Sequence, residues 1–329
     1  MPTITVIGSL NYDLVTYTDK VPEGGETFQA NSFENHLGGK GLNEALASAR
    51  LLKDTSVNKV RMVGNIGEDS FGKELKQALL DANVDTQFVQ TLPNQSSGVA
   101  VILVEEQTGE NRILITAGAN GELKPTDSDY NKIFPKDQVS KGDFVILQNE
   151  YPDTVKSIEW IKANRPSINI AYNPSPFKPE LITSDVLSKI DLLILNEGEA
   201  LDVARQMGHS VDKDLDIVTQ AKELAEQLSR SINKDNIQTI VITLGSKGSV
   251  FTSGGSTPSF TKSRTVDKVV DTTGAGDTFF GGVTVELSLG KTIDEAIEFA
   301  TCASSITIRS KGAAESIPTF LQVSNELGI

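Results

Sequence analysis

The chain has 329 residues, 38% of them apolar and 22% charged, and a net charge of −14. That length suits one large α/β domain or a domain with a small appendage, and the acidity argues against nucleic acid or an anionic membrane as a partner, since both need a positive footprint. Cys302 is the only cysteine and His36 and His209 the only histidines, which excludes an intrachain disulfide and Cys/His zinc sites and argues against a Ser-His-Asp triad.

Short β-branched runs alternate with longer helical patterns. A strand over 3–8 leads into a polar, extended stretch at 15–34 with a Val-Pro-Glu-Gly-Gly turn at 21–25. A helix over 41–52, a strand over 59–65 and a helix over 72–82 follow. Two strands, 98–104 and 112–116, are then joined by a turn at 107–111. Next come a strand at 143–148, a helix at 153–163, strands at 169–172 and 192–196, and helices at 197–206 and 215–231. A strand at 239–244, a hairpin turn at 253–259 and helices at 277–289 and 293–309 complete the series. Cys302 lies on the apolar run 296–308, so a buried, inert thiol is expected. No apolar run has membrane-spanning length, the N-terminus carries no secretory pattern, and the C-terminus carries no sorting or lipidation signal. A cytoplasmic location is expected, with the nucleus as a further compartment and no secretion.

Apolar strands alternating with helices predict an α/β fold: an open, mostly parallel sheet with helices on both faces, in Rossmann-type layering. The segments 15–34 and 97–116 have no helix between their strands. They are expected to form a small antiparallel β lid over a core of 1–14, 35–96 and 117–329.

Candidate chemistry clusters where strands end. Asn11 and Asp13 follow the first strand as an i, i+2 pair suited to sugar hydroxyls, although an Asx turn would use the same residues. Gly38-Gly39-Lys40-Gly41-Leu42-Asn43 opens a helix, with Lys40 and Asn43 on one face; it lacks the spacing of a Walker A loop. Gln148 and Glu150 end another strand. Asn196 and Glu199 straddle the first turn of a helix, where they could hold waters of a magnesium ion or simply make a capping box. Thr243-Leu244-Gly245-Ser246-Lys247-Gly248 could cradle phosphate or form a plain hairpin. The most specific stretch is 271–277, Asp-Thr-Thr-Gly-Ala-Gly-Asp. Its glycines precede a helix and offer unpaired amides and a positive dipole end to an anion. Asp277 beside such a site would repel phosphate, but the pairing makes sense if Asp277 takes a proton from a hydroxyl while the amides neutralise a moving phosphoryl group. In a parallel sheet nearly all these groups converge on one edge.

Taken in order, these residues resemble the ribokinase branch of the phosphofructokinase-B sugar kinases, in wording similar to the fungal members. The resemblance runs through Gly-Ser-Leu-Asn-Tyr-Asp at 8–13, Gly-Gly-Lys-Gly-Leu-Asn at 38–43, Asn-Glu-Gly-Glu at 196–199, the 243–248 and 271–277 stretches, and Lys-Gly-Ala-Ala-Glu-Ser at 311–316. It implies transfer of the ATP γ-phosphoryl group to O5 of D-ribose. Asp277 would then be the base, Gly274, Ala275 and Gly276 the anion hole, and Asn11, Asp13, Gly39, Lys40, Asn43 and Glu150 the sugar ligands. ATP would lie over Thr243, Leu244, Gly245, Ser246, Lys247 and Gly248, near Asn196, Gly276 and Thr301. Mg²⁺ would be organised by Asn196 and Glu199 through water. A monovalent cation, usually potassium, would sit at Asp271, Thr273, Thr307, Ser310, Gly312 and Ser316. Many relatives carry Arg-Lys-Gly where this chain has Ser310-Lys311-Gly312, with Arg309 one place earlier. The lid would also form the contact of a homodimer. Kinases for deoxyribose, fructose or adenosine share this pattern, and a sugar-binding regulator derived from a kinase is the alternative outside catalysis.

Overall fold

The computed structural model describes residues 2–54, 59–108 and 110–329. The strands are β1 (Thr3–Ile7), β2 (Asn11–Thr18), β3 (Ser32–Gly38), β4 (Lys59–Gly67), β5 (Asp85–Leu92), β6 (Gly98–Glu105), β7 (Asn111–Thr116), β8 (Phe144–Leu147), β9 (Asn169–Tyr172), β10 (Leu192–Asn196), β11 (Thr239–Thr243), β12 (Gly248–Ser253) and β13 (Ser259–Lys262). The helices are α1 (Lys40–Arg50), α2 (Ser70–Asp81), α3 (Asp127–Ile133), α4 (Thr154–Asn164), α5 (Ser184–Leu187), α6 (Glu197–Gln206), α7 (Ile217–Ser229), α8 (Ala275–Ser288), α9 (Ile293–Thr307), α10 (Ala313–Ser316) and α11 (Phe320–Leu327).

Nine strands form the main sheet in the order β13-β12-β11-β10-β9-β8-β1-β4-β5. Strands β11 to β5 in that order are parallel, and β12 and β13 add an antiparallel edge. Val6 of β1 is paired with Met62 on one side and Ile146 on the other. Successive side chains face opposite ways, so each central strand feeds two cores. Ile4, Val6, Phe144 and Ile146 pack with Leu46 of α1, Phe280 of α8 and Ala300 of α9. Ile7, Val145, Leu147 and Tyr172 pack with Ile158 of α4, Val203 of α6 and Leu224 of α7. Burial on both faces is why these strands read as continuous apolar runs.

The other four strands make a separate sheet, β3-β2-β6-β7. Within it β2–β3 and β6–β7 are antiparallel pairs, and β2 and β6 run parallel at its centre. It starts at Asn11 and reaches Gly38, so Asn11 and Asp13 belong to this sheet rather than to a loop after β1. Large apolar side chains are exposed on it: Phe33 of β3 and, on alternate faces of β7, Ile113, Leu114 and Ile115. Gly109, in the turn expected at 107–111, lies outside the described residues. No helix among the described residues is long and apolar enough to cross a membrane.

Candidate active site

Five adjacent strands, β11, β10, β9, β8 and β1, end along one edge. Their ends carry Thr243, Asn196, Asn173, the 148–150 segment and Ser9 in turn. Helix α8 approaches this edge by its N-terminus. Gly274 caps it in the left-handed region, φ 76°, and a Cβ there would come within 2.8 Å of the Ala313 Cα. Only glycine fits that turn. The first helical hydrogen bond runs from Thr278 N–H to Gly274 O at 2.8 Å, while Ala275 N–H already donates to Thr272 O at 3.3 Å. The Gly276 and Asp277 amides are therefore the better anion donors of the turn, and the space beside Gly276 is open.

Asp277 stands in the first turn of α8. Its Oδ2 accepts a hydrogen bond from Asn43 Nδ2 at 2.8 Å, and Lys40 Nζ is 3.7 Å from Oδ1. Both partners come from the start of α1, which is locked in place by Gly41: a Cβ there would lie 2.6 Å from Ser9 N and 2.7 Å from Gly8 C. Burial opposes the Lys40 charge, yet Asp277, Glu44, Glu150 and Glu199 together hold its pKa above the ordinary lysine value. A cavity of about 70 Å³ has Lys40, Glu44, Asn196, Glu199, Thr243, Gly276 and Asp277 among its lining residues. A smaller one of about 40 Å³ lies at the opposite end of the strands, beside Arg61 and Asp143; there Arg61 is already tied to Asp85 and the Ile133 carbonyl.

The residues expected to hold a sugar surround the start of α1. Asn11 Oδ1 accepts from Asn120 Nδ2 at 2.8 Å, and Asn120 also holds the Leu10 amide. Asp13, on the same face of β2, is paired across the sheet with His36. Burial, then the charge of Glu150, pushes its carboxyl up to about 7, against the pull of His36. Glu150 Oε2 accepts from the Lys40 amide at 2.9 Å and from the Ser9 hydroxyl. Gln148 differs from its neighbour: it is buried, and its amide donates to Glu44.

On the nucleotide side, Asn196 and Glu199 form the reciprocal capping box of α6, Glu199 N–H donating to Asn196 Oδ1 at 2.8 Å and Asn196 N–H to Glu199 Oε2 at 3.0 Å. Glu199 Oε2 also accepts from Asn173 Nδ2 at 2.9 Å. Glu199 Oε1 receives no hydrogen bond from the described residues and Glu199 lines the cavity, so the pair retains an acceptor, a fit for a cation that takes few protein ligands. Gly245–Lys247 is a 3₁₀ turn inside the antiparallel β11–β12 hairpin. Thr243 lines the cavity; Thr301, on α9, is not among its lining residues.

Of the residues assigned to a monovalent cation, Asp271, Thr273 and Gly312 are joined by hydrogen bonds. Asp271 Oδ1 accepts from the Thr273 amide and hydroxyl at 2.9 and 2.6 Å, and Oδ2 from the Gly312 amide at 3.0 Å. Burial raises its pKa, but these donors outweigh it and hold the carboxyl below its usual range. Thr307 turns its hydroxyl to Thr278 at 3.0 Å, and Ser316 to the Ala313 carbonyl at 3.1 Å. Arg309 points elsewhere, to Glu326 at 2.9 Å.

Sequence reasoning missed Ser9, Glu44, Asn120 and Asn173. Asn173 follows β9 at the same edge, so the strand-end rule could have found it; Glu44 is one helical turn from Lys40. It also missed a strap between the second sheet and the 311–315 segment. There Lys311 Nζ donates to Glu34 Oε1 at 2.6 Å, Leu37 N–H to Glu315 Oε1 at 3.2 Å, and His36 lies 3.8 Å from Glu315.

Residues 1–320 match the model of the pfkB family of carbohydrate kinases. The chain is 36% identical over 331 residues to a ribokinase of Schizosaccharomyces pombe, covering 100% of this chain and 99% of the relative. A ribokinase of Cryptococcus neoformans in complex with ADP superposes with a TM-score of 0.84 at 28% identity, over 99% of this chain and 100% of the other. A ribokinase of Arabidopsis thaliana complexed with ribose and ATP gives a TM-score of 0.83 at 30% identity, over 100% and 99%.

Proposed function

This chain belongs to the pfkB family of carbohydrate kinases and is a sugar kinase, and we propose that it transfers the γ-phosphoryl group of ATP to O5 of D-ribose, giving ribose 5-phosphate. The observation that carries this reading is Asp277, gripped by Asn43 and Lys40 beside the open amides of α8. The base and the anion site of this reading would lie within one helical turn of each other. Ribose as acceptor is supported by the ribokinases of similar sequence and by the neighbour complexed with ribose and ATP.

Asn11, Asp13, Gly39, Lys40, Asn43 and Glu150 bind and orient the sugar. Asp277 takes the proton of O5 as the oxygen attacks the γ-phosphorus in line. The Gly274–Gly276 turn and the positive end of α8 stabilise the charge on the transferred group. Asn196 and Glu199 would hold the waters of a magnesium ion, which would neutralise the nucleotide phosphates. Thr243 to Gly248 and Thr301 face the rest of the nucleotide. Potassium bound at Asp271, Thr273, Thr307, Ser310, Gly312 and Ser316 would brace the loop that precedes the anion hole. The four-stranded sheet acts as a lid that excludes water. Its exposed Ile113, Leu114 and Ile115 support a homodimer through the lid. The enzyme is proposed to act in the cytoplasm, with the nucleus as a further compartment.

ADP production measured with ribose, deoxyribose, fructose and adenosine, with and without K⁺, tests acceptor and activator together. Ribose should give the highest kcat/KM, and K⁺ should raise it. A preference for adenosine would overturn the acceptor, and ribose binding without any ADP release would replace the enzyme by a sugar-binding regulator.

A further inference from the structure

Glu44 lies on α1 one turn beyond Lys40, is 1% exposed and lines the cavity that holds Lys40 and Asp277. The proposed reaction gives it no task. Its Oε2 accepts from the amide of buried Gln148. The charged groups that face it are Lys40 on its own helix, Asp277 on α8 and Glu150 beyond β8, and Glu199 on α6 faces Lys40 as well. One ammonium thus stands among several carboxyl groups, and it cannot compensate all of them in a site sheltered from water. The cluster is also short of donors: Asn43 Oδ1 and Gln148 Oε1 are buried acceptors without a hydrogen bond. A proton on the most buried carboxyl removes one of the competing charges and adds one donor to the cluster. Burial, and after it the charge of Asp277, raises the Glu44 pKa well above its ordinary value, with Lys40 and Gln148 opposing.

We propose that Glu44 is a positioning residue that works as a neutral acid, supporting α1 against Gln148 while leaving the Lys40 ammonium to Asp277 and the incoming phosphate. This rests on the sugar-kinase reading of the site. An ionised Glu44 would compete with Asp277 for Lys40 and repel the nucleotide. Because a raised carboxyl loses its proton only as pH rises, its ionisation would cut activity on the alkaline side.

Three forms of the full chain test this by ribose-dependent ADP production across pH, each checked for folding by thermal unfolding. Glu44→Ala should lower kcat at neutral pH by about tenfold or more, the scale of a small displacement of reacting groups. Glu44→Gln, which keeps the shape without the charge, should restore most of that loss and lose the alkaline decline of the parent. The infrared difference spectrum of parent minus Glu44→Gln at neutral pH should show a carbonyl band of a protonated carboxyl, over and above the band that Asp13 contributes to both forms. A Gln variant as impaired as Ala, a pH profile superimposable on that of the parent, or no such band would overturn the proposal. A parent without ribose-dependent activity would overturn the kinase reading first and this inference with it, whereas an active parent that retains near-normal turnover as Asp277→Asn would remove only the base.

Discussion

Asp277→Asn separates catalysis from folding. The amide keeps the size of the carboxylate and can still accept from Asn43, now 2.8 Å away. What it loses is the charge facing Lys40 at 3.7 Å and the ability to take a proton. Lys40 is not left alone, because Glu44, Glu150 and Glu199 also face it. Removing one negative charge from an acid-rich cluster also lessens the force that keeps the Glu44 carboxyl protonated. The stability change should therefore stay within about 1 kcal/mol, a few degrees in the thermal midpoint. Loss of a general base costs about 10²–10⁴-fold in kcat, or roughly 2.7–5.4 kcal/mol at about 1.36 kcal/mol per decade. The assay is coupled ADP production at saturating Mg-ATP and ribose, with thermal unfolding on the same preparation. A kcat within about tenfold of the parent would refute Asp277 as the base, and a collapse of the thermal midpoint would refute its independence from the fold.

Gly41→Ala should displace α1, since its Cβ would meet the backbone at 2.6–2.7 Å; a cost of about 1–3 kcal/mol and a fall in kcat of up to about 10²-fold are expected, and near-parental kinetics would show that α1 is not braced there. Asp13 titrates near 7, raised first by burial and then by Glu150; the ionised form is the better acceptor for sugar hydroxyls, so KM for ribose should climb toward about tenfold per pH unit below that value, and Asp13→Asn should flatten the profile. Lys162→Met leaves buried Asp191 with Asn233, Asn236 and the Ile170 amide as its donors; stability should fall by about 3 kcal/mol in urea unfolding, with activity retained. Asp271→Ala removes the carboxylate that joins Thr273 to Gly312 and should abolish the increment in kcat given by K⁺, while a normal K⁺ titration would exclude it from the cation site.

Where a segment is buried on both faces, its nature was legible from the chain alone. The strands at 169–172 and 192–196 and the helix at 197–206 fall where the apolar runs put them. β5 escaped because it is an edge strand: only Val89 is buried and no apolar run marks it. The short helices α3 and α11 are fixed by threonine capping boxes at Thr126 and Thr319, signals too local to stand out from loops. In the candidate site, the strand-end rule brought Asn196, Thr243 and Glu150 to one edge because parallel topology makes that edge a property of the fold. The second sheet's strap was invisible for the opposite reason. Leu37 and Glu315 meet across 278 residues, and no periodicity encodes a contact between a lid strand and a short helix near the other end of the chain. Glu44 was hidden by its own helix, whose apolar pattern makes a glutamate read as a surface residue.

The charge balance of the cavity then explains how so acidic a chain can handle a nucleotide. Lys40 is the one basic side chain among the lining residues, against Glu44, Glu199 and Asp277. If all three acids were ionised, the site would repel a triphosphate before binding it. A proton on Glu44 and the pairing of Lys40 with Asp277 bring the acceptor side close to neutral. The end of α8 adds about half a positive charge, which in the proposed reaction would act on the phosphoryl group. On the proposed reading the remaining phosphate charge would fall on the Asn196–Glu199 side, where the cavity lining has a carboxylate and no basic side chain. Nucleotide affinity should therefore depend on a divalent ion far more steeply than sugar affinity does. Equilibrium binding of ATP and of ribose, each with and without Mg²⁺, measures that difference directly; equal dependence for the two ligands would mean that the charge is balanced by groups outside this cavity.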